Sequence, residues 1–416
     1  MNSPDKPSIT AHQLPKKIHP IVFTFLILPM GVMSGYVNVT LAFLYTNAGL
    51  SVEQVAALVA TGLSPHIFKF LWAPLVDSTL SAKKWYLIAN TLSAVGMLAM
   101  GILPVTGANL ILITGIVWLA NFAVTFVAMS TESIMAYDVP EDLKGRAGGY
   151  FQAGNLGGTG LGGGIGLFLA QRLPDPWMTA AIISISCFLC GLGLFFVNDV
   201  KSTVRGESLI TSFQNVLKDI WIILKSQSGL LVVLLCFLPM GTGAASNLWA
   251  AVAEDWKASA DTVALVTGVM GGLISAAGCL LGGWICDRMN RKTAYWLFGL
   301  VGAFTAVGMA FSPKTELMYI IWTSLYAITV GLSYAGFTAV VLEAMGTGAA
   351  ATKYNIFAAL SNTPIYYMIY INGQAYTHWG PNGMLNTEAL FAFGAVLIFI
   401  ILQIILTRRK NSIVAA

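Results

Sequence analysis

Gly283-Trp284-Ile285-Cys286-Asp287-Arg288-Met289-Asn290-Arg291-Lys292 closes a long apolar run with an aspartate and follows it at once with basic residues. The same order occurs earlier, where Lys69-Phe70-Leu71-Trp72-Ala73-Pro74-Leu75-Val76-Asp77 ends an apolar run and Lys83, Lys84 and Trp85 follow. The two aspartates stand about 210 positions apart, and other features keep that offset. Pro29-Met30-Gly31 returns as Pro239-Met240-Gly241, and Glu132, inside an apolar run, is echoed by Glu343. Two halves that each carry an aspartate at a helix end, a basic turn and an intramembrane glutamate read as a duplicated helical bundle with a path between its halves.

Composition places that bundle in a membrane. Of 416 residues, 56% are apolar and only 10% charged, against about 25% charged in soluble domains, and the mean hydropathy is +0.75. The formal charge of +4 sits in short turns, so topology explains it better than an anionic partner, and nucleic-acid binding is not expected. The five cysteines, Cys187, Cys190, Cys236, Cys279 and Cys286, lie in or at the ends of apolar runs and read as core packing, not as a disulfide framework or a zinc site. The polar start, with Pro4, Pro7, Pro15 and Pro20, is unlike a cleavable signal.

A hydrocarbon core about 30 Å thick needs roughly 20 helical residues. Twelve such runs can be placed, at 20–46, 54–77, 85–104, 108–137, 146–171 and 177–197, then 228–250, 262–286, 294–312, 316–344, 354–377 and 388–407. The expected organisation is an all-α integral membrane protein with a six-helix bundle over 1–197, a cytoplasmic linker over 198–227 and a second six-helix bundle over 228–416. In the linker, Lys201, Arg205, Glu207, Lys218, Asp219 and Lys225 stand among apolar residues, which suggests an interfacial helix. Of the 22 Lys and Arg residues, Arg172, Lys257 and Lys314 fall on one side and Lys69 within a run. The others, from Lys6, Lys16 and Lys17 to Arg408, Arg409 and Lys410, share the opposite side, so both termini should be cytoplasmic. There is no room for a soluble catalytic domain and no Walker-type loop, so direct ATP drive is disfavoured and no cofactor is expected.

The segment from Gly283 to Lys292 resembles the cytoplasmic loop signature of the major facilitator superfamily, with Asn290 in place of the customary glycine. The segment from Lys69 to Asp77 is similar to the corresponding stretch of that superfamily's muropeptide permease and acetyl-CoA transporter branch. So are Ala351-Thr352-Lys353-Tyr354-Asn355-Ile356-Phe357-Ala358-Ala359 and the glycine-rich fifth run after Gly148. The resemblance implies the major facilitator fold and alternating access, with Asp77, Asp287 and Arg288 at a gate. In that branch, some bacterial proteins carry anhydromuropeptides released from the wall and others import ferric siderophores.

Several residues are candidates for transport chemistry. An ionised carboxylate in hydrocarbon is costly, so Glu132 and Glu343 each need a partner, water or a helix terminus. Proton coupling or gating is the functional reading, and a fixed lock against the basic turns is the other. His66 and Lys69 lie within one turn of each other and have no duplicate near Ala276 and Cys279. They suit a carboxylate or a proton, although Lys69 could equally snorkel beside Asp77. Asn38 in the first run and Asn247 in the seventh are the expected cavity wall, loosened by the repeated Pro-Met-Gly. Helix association through polar residues explains those asparagines as well. Asn362, Tyr366 and Tyr370 of the eleventh run could contact a large, partly apolar ligand, or anchor a helix at an interface. The glycines from Gly148 to Gly166 suit close sliding contact between helices.

A secondary transporter of the bacterial inner membrane is therefore expected, importing with protons a bulky polar solute such as a muropeptide. A ferric siderophore importer is the alternative, with a drug or metabolite exporter behind it. An integral membrane enzyme is disfavoured: no HExxH cluster or nucleophilic triad is visible, and His12, His19, His66 and His378 are widely separated. The expected partners are the solute, protons and lipid, with no metal and the chain as a monomer.

Overall fold

The computed structural model describes residues 18–199, 206, 208–225, 227–345 and 349–415. Lys6, His12, Lys16, Lys17, Lys201, Arg205 and Glu207, and the side chains of Asp219, Arg408, Arg409 and Lys410, lie outside that description, and so does the topology read from them. Among the described residues every regular element is helical. Eight helices are long and apolar enough to cross a membrane: Val22–Asn47, Ala82–Ile102, Gly107–Asp138, Pro176–Phe196, Asp261–Cys286, Arg291–Phe311, Glu316–Met345 and Ala350–Ile405.

The runs not matched one to one have local physical reasons. Ala350–Ile405 holds two of them, because Gly380 takes φ 67° ahead of Pro381 and breaks the helix there. The 54–77 run divides into Val52–Phe68, a 3-10 turn at Lys69–Leu71 and Ala73–Ser78, with Pro65 in the last turn of the first piece. The 228–250 run stops at Phe237 and resumes as 3-10 helix at Ala244–Leu248. Between them, Gly241 and Gly243 adopt φ 62° and 67°, a left-handed region that side chains disfavour. Lys144–Ala170, the helix of the 146–171 run, is continuous but rich in glycine.

That glycine helix holds the fold together. A Cβ added at Gly162 would stand 2.2 Å from the carbonyl oxygen of Val32, and one at Gly154 would stand 2.3 Å from that of Thr24. On another face, a Cβ at Gly149 would stand 2.6 Å from the carbonyl oxygen of Cys279. The helix therefore lies backbone to backbone against Val22–Gly35 of the early chain and against Val269–Cys286 of the late chain. Only glycine permits both approaches, and dispersion between the closely packed main chains stabilises them.

Capping fixes the helix starts. Ser51 and Gln54 form a reciprocal box at the start of Val52–Phe68. Asn290, the departure from the family's glycine, has φ −58° and caps Arg291–Phe311 by accepting the amide of Thr293 at 3.2 Å. Of the expected linker, Leu209–Lys225 is helical, and its Ile210 and Phe213 lie beside Trp72 and Pro74. All five cysteines are free, and only Cys190 is not buried.

Candidate functional site

One end of the bundle is closed by two matching caps. Asp77, at the end of Ala73–Ser78, accepts the amides of Ala351 at 3.2 Å and Thr352 at 2.8 Å, and the Thr352 hydroxyl at 2.7 Å. Asp287 accepts the amides of Gly145 at 2.7 Å and Arg146 at 3.1 Å, and the Arg146 Nε at 2.6 Å. Each carboxylate, fixed at a helix C-terminus, thus neutralises the exposed N–H groups and positive dipole of a helix start in the other part of the chain. Charge-assisted bonds of this kind are about twice as strong as neutral ones.

Ionic contacts surround these caps. Arg291 pairs with Glu141 and, at 3.2 Å, with Glu343. Lys144 pairs with Glu141 at 2.7 Å and donates to the carbonyl of Leu342 at 3.1 Å. Burial acts to raise the Glu141 carboxyl, but its bonds to Lys144 and Arg291 and their charges outweigh it and hold the group below its ordinary range. Arg288 takes no part in these pairs. Its guanidinium stacks 3.9 Å over the Trp284 ring and donates to that residue's carbonyl.

A polar layer follows, deeper in the bundle. Lys69 Nζ lies 3.3 Å from Glu132 Oε1, and Asn355 of the late chain donates to Glu132 Oε2 at 2.7 Å. Gln152 reaches the hydroxyl of Thr338 at 2.9 Å, and Tyr354 bonds the same hydroxyl at 3.1 Å. Glu132 and Glu343 share a sequence offset but not an environment. The Glu132 side chain is 2% exposed and that of Glu343 39%. Glu343 is only two residues short of the end of Glu316–Met345, whereas Leu110–Asp138 continues six residues past Glu132.

Beyond this layer lies a cavity of about 630 Å³ between the early and late helices, toward the end of the bundle away from Asp77 and Asp287. Its polar lining includes Asn38, Thr159, Thr242, Ser246, Asn247, Ser275 and Tyr334, and none of its described lining residues is charged. Asn38 stands in a π-helical stretch, Tyr36–Leu41, which the sequence did not announce. Such stretches concentrate at functional sites because they re-aim side chains. The Thr40 hydroxyl anchors the stretch, 3.3 Å from the carbonyls of Gly162 and Gly163. Asn247 donates to the carbonyl of Ala244 at 3.2 Å.

The other candidates are placed differently. Asn362 lines a separate pocket of about 50 Å³ with Ser361, Thr242 and Tyr334. Tyr366 and Tyr370 are 58% and 69% exposed and line neither space. His66 bonds Asn121 at 3.0 Å inside the early chain, and Lys69 is held by Glu132. Neither is among the residues that line the large cavity.

Sequence reading missed Arg146, Glu141, Asn355 and Glu388. The first two stood in a turn read only for the cations that set the topology, and Asn355 lay inside the Ala351–Ala359 motif without a role. Glu388 marked the edge of an apolar run, although an acidic residue at such an edge is itself a signal. It is buried and accepts from Tyr326 at 2.8 Å, Thr242 at 3.4 Å and Asn372. Among the described residues no group of His, Cys, Asp and Glu could hold a metal ion.

A cavity between membrane-spanning helices, in a bundle closed at its other end by interlocking helix caps, suits a multi-pass solute transporter. The sequence profile of the Major Facilitator Superfamily matches residues 22–366, and the chain belongs to that family. It is a secondary-active solute transporter and not an enzyme. The chain is 23% identical over 354 residues to the anhydromuropeptide permease of Escherichia coli K12, covering 80% of this chain and 68% of the permease. It is 25% identical over 371 residues to an uncharacterized protein of Haemophilus influenzae, covering 81% and 82%. Its fold is similar to that of the proton:xylose symporter XylE, with TM-score 0.65, 15% identity and coverage of 91% and 94%. The human organic anion transporter MFSD10 gives TM-score 0.65 at 14% identity, covering 93% and 100%.

Proposed function

We propose that this chain imports a bulky solute rich in hydroxyl and amide groups, such as a muropeptide, by proton-coupled alternating access across a bacterial inner membrane. The observation that carries the reading is the cavity of about 630 Å³, whose uncharged lining sets asparagines and hydroxyls among mostly apolar and glycine residues. Its size suits a ligand larger than a simple ion, and its asparagines and hydroxyls suit sugar and peptide groups. The similarity to an anhydromuropeptide permease supports the same solute class.

In this reading the chain makes twelve crossings in two pseudo-symmetric six-helix bundles, 1–197 and 228–416, joined by a linker over 198–227, with both termini cytoplasmic. The cap pairs of Asp77 and Asp287 then close the cytoplasmic end while the cavity faces the periplasm. Inward opening requires both caps to separate, and Glu132 with Asn355 joins the same interface. Glu343 and Arg288 act at the rim, Glu343 through Arg291.

The test is uptake by purified protein in liposomes under an inward proton gradient, with labelled anhydromuropeptides and ferric siderophores offered in parallel. Gradient-stimulated accumulation of the muropeptide is expected. Asn38→Leu and Asn247→Leu should each lower it about ten-fold, the loss of roughly one buried hydrogen bond. Siderophore accumulation instead would replace the solute, and correctly inserted protein that moves neither would sink the substrate reading.

A further inference from the structure

Asp77, Glu132 and Glu388 are buried carboxylates within the helices; Asp77 caps the helix start at Ala351 and Thr352, and the structure treats the other two in opposite ways. Glu132 has the ammonium of Lys69 at 3.3 Å, so its charge is balanced without a proton. Glu388 has no such partner: the ion pairs among the described residues do not include it. Its side-chain partners are the neutral Tyr326, Thr242 and Asn372, with the backbone of Ala245 beside them. A buried carboxylate held only by neutral donors carries a desolvation cost that a proton would remove.

The surroundings offer a proton both a route and a receiver. The Thr242 hydroxyl that bonds Glu388 belongs to a residue lining the large cavity. A space of about 10 Å³ touches Glu388 and shares Gly243 and Val330 with that cavity. This is room for about one water molecule. The Asn372 Oδ1 is buried without a partner while its Nδ2 donates to Glu388 Oε2. A half-turn of that amide would present Oδ1 instead, an acceptor suited to a protonated carboxyl. The helices packed on Glu388 contribute Gly299 and Ala303, Tyr326 and Val330, and Asn372, so Tyr326 is the titratable group facing it among the described residues.

We propose that Glu388 is a proton-binding site in the late part of the chain, loaded from the cavity past the Thr242 hydroxyl. A proton from cavity water forms the Oε2–H bond and cancels the carboxylate charge, and the same bond breaks on release. Asn372 turns to accept from the protonated form and turns back to donate to the ionised one. Use of this proton in coupling rests on the transporter reading above, whereas the site itself does not.

The deciding measurement is infrared difference spectroscopy on the full chain in lipid, titrated from about pH 5 to about pH 9. The wild type should show a protonated-carboxyl band that disappears with rising pH. Glu388→Gln should lose that band and Glu132→Gln should keep it, while Asn372→Leu should shift its frequency. If Glu388→Gln does not fold, Glu388→Asp serves in its place and should displace the band. A wild type without a titrating band, or a band unchanged in the Glu388 variant, overturns the proposal. No transported solute enters this readout, so a wrong substrate leaves it intact.

Discussion

Asp287 Oδ1 lies 2.7 Å from the amide nitrogen of Gly145, and a side chain's first carbon at 145 would come within 2.5 Å of that oxygen. The carboxylate therefore reaches the helix start only because residue 145 has no side chain. Gly145→Ala should push it away, and Asp287→Asn should remove its charge. Hydrogen bonds to charged groups contribute about 1.5–3 kcal/mol, so either change should favour the opened form at least ten-fold. Spin labels at Lys84 and Arg288, both exposed, should report a longer separation, and an unchanged distance distribution would remove the cap from the gate.

Lys69 and Glu132 are expected to depend on each other. Removing one partner of a buried pair leaves an uncompensated charge and costs about 3–5 kcal/mol, whereas replacing both is often tolerated. Lys69→Met and Glu132→Gln should each lower the unfolding temperature in detergent, and the double variant should regain most of the loss. Additive losses would mean that the pair is not a unit.

Gly162 faces the carbonyl of Val32 so closely that a side chain must separate two helices. Overpacking typically costs about 1–3 kcal/mol, and here the three nearest obstacles are all Val32 backbone atoms. Gly162→Leu should give a poorly folded, aggregating protein on gel filtration. Gly115→Leu, where a Cβ meets nothing within 4 Å, should elute like the wild type.

Acid should loosen the closed end through Glu141. Its carboxyl lies below the ordinary value of about 4.3, held there by Lys144 and Arg291. A group depressed in the folded state contributes fully above its unfolded pKa, and that contribution disappears as pH falls through the folded one. Label separation at the closed end should therefore increase as pH falls below the ordinary carboxylate range. Glu141→Gln should show the wider separation at neutral pH and lose the acid response.

Much of this architecture was legible because it depends on helix ends. An aspartate after an apolar run, followed by cations, marks a helix C-terminus wherever it occurs, so Asp77 and Asp287 were readable as a matched pair. Their receivers were not, since Gly145 and Thr352 contribute backbone amides that any residue carries. The repeated proline and glycine indicated a loosened seventh run, but a complete break appears only in the backbone angles at Gly241 and Gly243. An equal offset could not show that Glu343 sits nearer its helix end than Glu132. The facing of Tyr366 and Tyr370 was not legible either: composition locates a helix along the chain but leaves its rotation undetermined, and these two residues, one turn apart, share the same outward side.

The first helix holds a consequence of a different kind. A π-helical turn is an α-helix with one residue too many, and Tyr36–Leu41 places that surplus beside Asn38. Removing a single residue such as Val39 would let the turn close as ordinary α-helix with the flanking turns still in register, so that only the side chains of the turn itself, Asn38 among them, are re-aimed. The smallest edit that redirects this wall of the cavity is thus a deleted codon, an alteration that no survey of amino-acid exchanges would ever sample.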